Sequence, residues 1–140
     1  MREEQKKNPR ANRQDLMERL SIGCIFNNTS RIDVDKSNGT FEKAGEPTEA
    51  ALKVLADKLM GEPNDLDSAF QYERSKSQNI KTVAQLDFTS KRKTMSTIVT
   101  GYKNNRDLLL KGAPDRVLAK CNSYLRLTED GRSTQNSFLG

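Results

Sequence analysis

Between Thr82 and Lys111, three short β-type stretches follow one another with only turn residues between them. No other feature restricts the fold as strongly. Thr82 to Phe88 alternates, placing Ala84, Leu86 and Phe88 on one face. Met95, Thr97 and Val99 share a face in the next stretch, Gly101 to Arg106 forms a turn, and Asp107 to Lys111 returns. Strands joined so briefly run antiparallel, because a parallel connection needs a long crossover.

The flanking sequence supplies helices. Gly45-Glu46-Pro47 opens one, with proline in the first turn where its missing N–H is harmless. Leu52, Leu55, Ala56 and Leu59 give it helical spacing, Gly61 ends it, and Pro63 prevents its resumption. Asn12 caps an earlier helix running to about Cys24, with Leu16, Leu20 and Cys24 on one face beside Met17. Asn38-Gly39 marks a hairpin between 31–35 and 40–44. The polar stretch 62–79 reads as a loop with one short helix near 67–72. Pro114 starts a short helix, and Ser123 to Leu127 reads as a strand. The expected fold is α+β: an antiparallel, twisted sheet flanked by helices. The domain spans 12–131, between flexible tails over 1–11 and 132–140.

Composition narrows the chemistry. There is no histidine, which excludes histidine triads, histidine metal sites and a histidine acid or base. Cys24 and Cys121 are far apart without a CxxC pattern and read as reduced thiols. No apolar run is long enough to span a membrane, and no apolar leader opens the chain. The net charge of +5 comes partly from the N-terminal flank, and charges elsewhere are mixed in sign. That favours a solvated surface over a nucleic-acid stripe.

Three blocks remain that could carry chemistry. In Asp87-Phe88-Thr89-Ser90-Lys91-Arg92-Lys93-Thr94-Met95-Ser96, an aromatic ends a strand just before a basic run. Lys111-Gly112-Ala113-Pro114-Asp115 places a lysine before a turn of small residues. Gly45-Glu46-Pro47-Thr48-Glu49-Ala50 sets Glu49 in a helix's first turn. Each has a plain structural reading. Phe88 and Met95 could be core residues, Lys91 to Lys93 a solvated basic run, Gly112-Ala113 a strand-to-helix turn, and Glu49 a partner of the helix dipole.

In this order the blocks resemble the nucleotide-binding (N) domain of P-type cation-pumping ATPases, nearest the sarco/endoplasmic-reticulum calcium pumps, over roughly Leu16 to Leu127. The resemblance implies ATP as ligand, with Mg²⁺ carried on the nucleotide. Phe88 would stack on adenine, and Glu49 would accept a hydrogen bond from its amino group. Lys93 would meet the phosphates, Met95 would line the wall, and Lys111 with Gly112 and Ala113 would form the back of the pocket. Ser90 stands where many such pumps carry an arginine, which weakens the phosphate side. The aspartate-bearing DKTGT segment is absent, as are Walker A and GxGxxG patterns.

The chain is therefore expected to be a monomeric N-domain fragment, truncated on its C-terminal side. It would bind nucleotide without hydrolysing it. Its partners would be the phosphorylation and actuator domains of the same pump, with transported Ca²⁺ held elsewhere. The setting would be the cytosolic side of an intracellular membrane, the endoplasmic reticulum. Two other readings stay open: a basic module for RNA or another polyanion, and an N-domain relative that serves as a scaffold without nucleotide.

Overall fold

Proline enters a helix without loss only in its first turn, and Pro9 opens α1 (Pro9–Phe26) in the computed structural model, which describes residues 9–61, 65–130 and 133–138. The helix thus begins ahead of the expected Asn12 cap, and Pro9 to Ala11 belong to it rather than to a tail. Next come β1 (Arg31–Asp35) and β2 (Thr40–Ala44), then α2 (Pro47–Met60) and α3 (Gln71–Asn79). β3 (Lys81–Leu86), β4 (Thr94–Tyr102), β5 (Asn105–Gly112), α4 (Pro114–Leu118), β6 (Ser123–Leu127) and β7 (Ser133–Ser137) complete the described chain.

Every ladder is antiparallel, as the short turns require. The strands fall into three separate sheets: β1-β2, β3-β4-β5 and β6-β7. β4 is the central strand of the largest, with Met95 opposite Lys111 and Thr97 opposite Leu109. Its register with β3 is broken between Thr82 and Ala84.

The core lies on both sides of α1. One side places Ile22 against Ile80 and Val99, with Phe26, Tyr102 and Leu109 packed around them. The other joins Cys24 and Ile25 to Ala56 of α2, with Leu52 and Tyr72 alongside. A helix held from two directions has no single apolar stripe. That is why the expected Leu16–Leu20–Cys24 face fails: Leu20 is exposed, whereas Ile22 and Ile25 are buried.

The buried row of α2 is Ala50, Lys53 and Ala56 rather than its leucines. Alanines let the two helices approach closely. Lys53 is tolerated there because its Nζ reaches Glu73 Oε1 of α3 at 2.7 Å. α3 itself lies later than the helix expected at 67–72. Before it, Phe70 adopts φ 57°, rare for a bulky residue, and its N–H donates to Asp57 Oδ1 at 3.0 Å.

The C-terminal segment expected to be a tail contains β7. Its polar sequence lacks apolar alternation, but pairing with β6 is made by the backbone, from Ser123↔Ser137 to Leu127↔Ser133. Tyr124 meets Phe138 across the ribbon, with ring centroids 5.0 Å apart and the rings tilted by 41°.

Candidate functional site

Glu49 lies in the first turn of α2, where the peptide dipoles favour a carboxylate. Its Oε1 accepts from Lys111 Nζ at 2.5 Å, and its Oε2 accepts from the Thr29 N–H at 3.0 Å and from the Thr29 hydroxyl. The Glu49 and Lys111 side chains are only 15% and 30% exposed. Burial opposes ionisation of Glu49, but the Lys111 ammonium and the two Thr29 donors outweigh it. The carboxyl is held below its ordinary pKa. A carboxylate has about four acceptor positions, so one remains for a further donor.

Lys111 is the penultimate residue of β5, directly opposite Met95, and the last pair is Gly112 with Thr94. The backbones close up at this point. The Ala113 N–H donates to the Lys93 carbonyl at 2.9 Å. A Cβ on Gly112 would lie 2.3 Å from Lys93 O and 2.7 Å from Thr94 Cα. Only glycine fits, and the turn presents backbone rather than side chain.

Met95 is 2% exposed and lies opposite Lys111 in the β4-β5 ladder. Buried Asn27 holds it in place: its Nδ2 donates to Met95 O at 3.3 Å, and its Oδ1 accepts from the Thr97 hydroxyl at 2.9 Å. Asn27 thus ties the end of α1 to β4. In the sequence it reads as the first residue of a loop, and nothing local marks it as the brace of a strand sixty-eight residues later.

Phe88 follows β3 and is 59% exposed, which removes the core reading for this side chain. The turn after it is tight: the Lys93 N–H donates to Thr89 O at 2.7 Å, and the Arg92 N–H to Thr89 Oγ1 at 3.1 Å. Lys93 sits outside the strand at φ 54°, so it does not share a face with Met95 by strand parity. Lys91 and Lys93 are exposed, whereas the Arg92 guanidinium folds back onto Asp87 O at 3.2 Å and Ser96 Oγ at 3.0 Å.

The structure therefore brings Glu49, Lys111, Met95, Gly112, Ala113 and the Lys93 backbone into one contact chain. Phe88 joins them only through the 89–93 turn. A cleft of about 410 Å³ runs beside β5, lined by Leu20, Cys24, Leu52, Leu109 and Lys111 among others. Burial pushes the Cys24 thiol up, with Lys111 opposing, so it is no ready nucleophile. A larger apolar opening, about 670 Å³, lies between the β1-β2 hairpin and α2 and touches none of these residues. Among the described residues no cluster of histidine, cysteine or carboxylate side chains could hold a metal ion. No helix among them is long and apolar enough to cross a membrane.

Two comparisons bear on this arrangement. The family model for the cytoplasmic domain N of P-type ATPases matches residues 15–134. The endoplasmic reticulum calcium ATPase srcA of Aspergillus fumigatus is 35% identical over 114 residues, 74% of this chain but 12% of that protein.

Proposed function

Because this chain belongs to the cytoplasmic N-domain family of P-type ATPases, we propose that it holds ATP by the adenine end, beside the Glu49–Lys111 pair. Phe88 offers an exposed ring for stacking. Gly112 and Ala113 admit the base edge against backbone. The unused acceptor position of Glu49 takes the adenine amino group, where guanine presents an oxygen instead. Lys93 and Lys91 face the phosphates as mobile point charges. Mg²⁺ arrives on the nucleotide. The chain's work is to bind and orient; the γ-phosphate passes to an aspartate on a separate phosphorylation domain. In the whole protein this would drive Ca²⁺ transport across an intracellular membrane, the endoplasmic reticulum, in concert with the actuator domain.

The observation that carries this reading is the Glu49–Lys111 contact at 2.5 Å beside a strand end closed to any Cβ at Gly112. Titration followed by backbone amide NMR tests it. ATP is expected to move amides at Glu49, 88–95 and 111–113, and GTP to bind more weakly. Equal response to GTP would remove the adenine assignment. A scaffold role without nucleotide draws on one fact: Arg92 is committed to Asp87 and Ser96, and Ser90 brings no charge to replace it. No response to millimolar ATP would favour that second reading.

A further inference from the structure

Resting on the nucleotide reading above, we propose that Thr29, in the junction between α1 and β1, sets the base choice at Glu49 by keeping its side chain an acceptor and not a donor. A carboxylate only accepts hydrogen bonds, whereas a neutral carboxyl carries an O–H that donates. Adenine offers an amino donor where guanine offers a carbonyl oxygen. An ionised Glu49 therefore suits adenine alone, and a protonated Glu49 can also serve guanine. Whatever holds Glu49 ionised also holds the site to one purine.

Two groups of Thr29 converge on one oxygen of Glu49. The Thr29 N–H donates to Oε2 at 3.0 Å, and the Thr29 hydroxyl donates to the same atom. Lys111 takes Oε1. A lysine is a mobile point charge, so the fixed donors are those of Thr29. Its neighbours do the fixing. Asn28 Nδ2 donates to Cys24 O at 2.9 Å and to Glu49 O at 2.7 Å, spanning the end of α1 and the first turn of α2. Asn28 Oδ1 accepts from the Ser30 N–H at 2.8 Å and from the Ser30 hydroxyl at 2.6 Å. The Asn28 amide thus uses both donor hydrogens and both lone pairs. Gly45, at φ 99°, brings the chain ahead of α2 against the same junction: a Cβ there would lie 3.1 Å from Ser30 Cα. Thr29 is pinned by what flanks it, and its two donors face Glu49 without rearrangement.

The electrostatics of the corner agree. Lys111 of β5 is the charged side chain in contact with Glu49. Cys24 of α1 lines the same cleft as Lys111, and burial keeps it a neutral thiol. Burial works against the Glu49 carboxylate, and Lys111 together with the two Thr29 donors overcomes it. Removing the Thr29 hydroxyl takes away one of those donors and moves the balance toward the neutral carboxyl. In the sequence Thr29 stands in a polar loop twenty residues before Glu49, with no local mark of this role.

Thr29→Val removes the hydroxyl at nearly constant volume and leaves the N–H, whereas Thr29→Ser keeps both donors. Thr29 is exposed, so neither change empties a core position. Carboxyl ¹³C NMR of the 140-residue chain without nucleotide reads the titration of Glu49. Thr29→Val should move that titration upward, and Thr29→Ser should return it to that of the unmodified chain. Titrations with ATP and with GTP then read the base choice. Thr29→Val should lower the ratio of ATP to GTP affinity by about threefold or more at about pH 5, close to the carboxyl range, and by less at neutral pH. Thr29→Ser should preserve the ratio. The phosphates of the two nucleotides titrate alike, so the ratio isolates the base. A Glu49 titration unmoved by Thr29→Val would overturn the proposal. So would an unchanged ratio in Thr29→Val beside an unmodified chain that prefers ATP. An unmodified chain that binds both nucleotides alike would remove the adenine reading itself, and the role of Thr29 in base choice with it.

Discussion

The β4-β5 hairpin and the β1-β2 hairpin are the same local object, two antiparallel strands joined by a short turn, yet they stand in opposite relation to the core. β4 buries Thr94, Met95, Thr97 and Val99 beneath α1, and Lys111 on β5 is anchored to α2 through Glu49. Every residue of β2 is exposed, and the hairpin leans on the rest through the edge contact of Phe41 with Phe70, ring centroids 6.1 Å apart. An isolated two-stranded ribbon is marginal in water. What makes a hairpin able to hold a ligand to within a fraction of an ångström is the layer behind it, not its own hydrogen bonds.

The largest effect that would break this comparison is at the buried Met95 of β4. Met95→Ala should cost about 2–5 kcal/mol of stability, the range for emptying a filled core position. Phe41→Ala should cost far less, because half of that ring is already in water. Urea midpoints of the two variants give the contrast directly; similar losses would mean that the hairpins are equally supported.

Glycine separates the hairpins next. At Gly112 an added Cβ meets backbone, so Gly112→Ala should cost about 1–3 kcal/mol through overpacking and forced strand separation. At Gly39 the nearest atom to such a Cβ is Leu66 Cδ1 at 3.6 Å, ordinary contact, and only the backbone at φ 71° is strained. Gly39→Ala should therefore cost about 1 kcal/mol. ATP affinity should fall with the first variant alone.

Phe88 sharpens the same contrast by ligand instead of stability. Phe88→Ala should weaken ATP by about 1–3 kcal/mol, the worth of one base stack. Its urea midpoint should match that of the unmodified chain, since the ring lies in solvent. A stability loss with unchanged ATP affinity would make Phe88 a packing residue after all.

The smallest expected effect is one of pH. The folded-state pKa of Glu49 is depressed, so its contribution is fully present above the unfolded carboxyl value, about 4.3. It is lost as pH falls through the lower folded value. Solvent reaches both side chains, which limits it to about 1 kcal/mol. The stability gap between the chain and Glu49→Gln should accordingly hold from neutral pH down to about 4.3 and narrow as pH falls further. A gap that does not narrow below the unfolded carboxyl value would mean the charge is not what stabilises this corner.

The strands from 81 to 112 were legible because alternation is local, and Gly45-Glu46-Pro47 marked the start of α2 for the same reason. Of the residues the sequence grouped, Glu49 touches Lys111, Met95 lies opposite Lys111 in the ladder, and Gly112 and Ala113 follow it. What sequence could not carry was partnership at a distance. Lys53 reads as a surface residue until Glu73 is beside it. Leu20 reads as core until α1 is found to pack through Ile22 and Ile25. Lys93 reads as part of a basic run, and nothing in that run marks the turn that sets it at positive φ. β7 reads as a tail because its side chains say nothing of the backbone that pairs with β6.

Asn27 sets a clock. Its two partners, Met95 and Thr97, are made 68 and 70 residues after it. At the usual speed of synthesis, 5–20 residues per second, that gap is roughly 4 to 14 s. Within that interval α1 can gather α2, Tyr72 and Lys76 of α3, and Ile80, but the amide that will brace β4 stays in water. The nascent chain can join its helices early, but the corner that carries Lys111 cannot close until its last strand has been written.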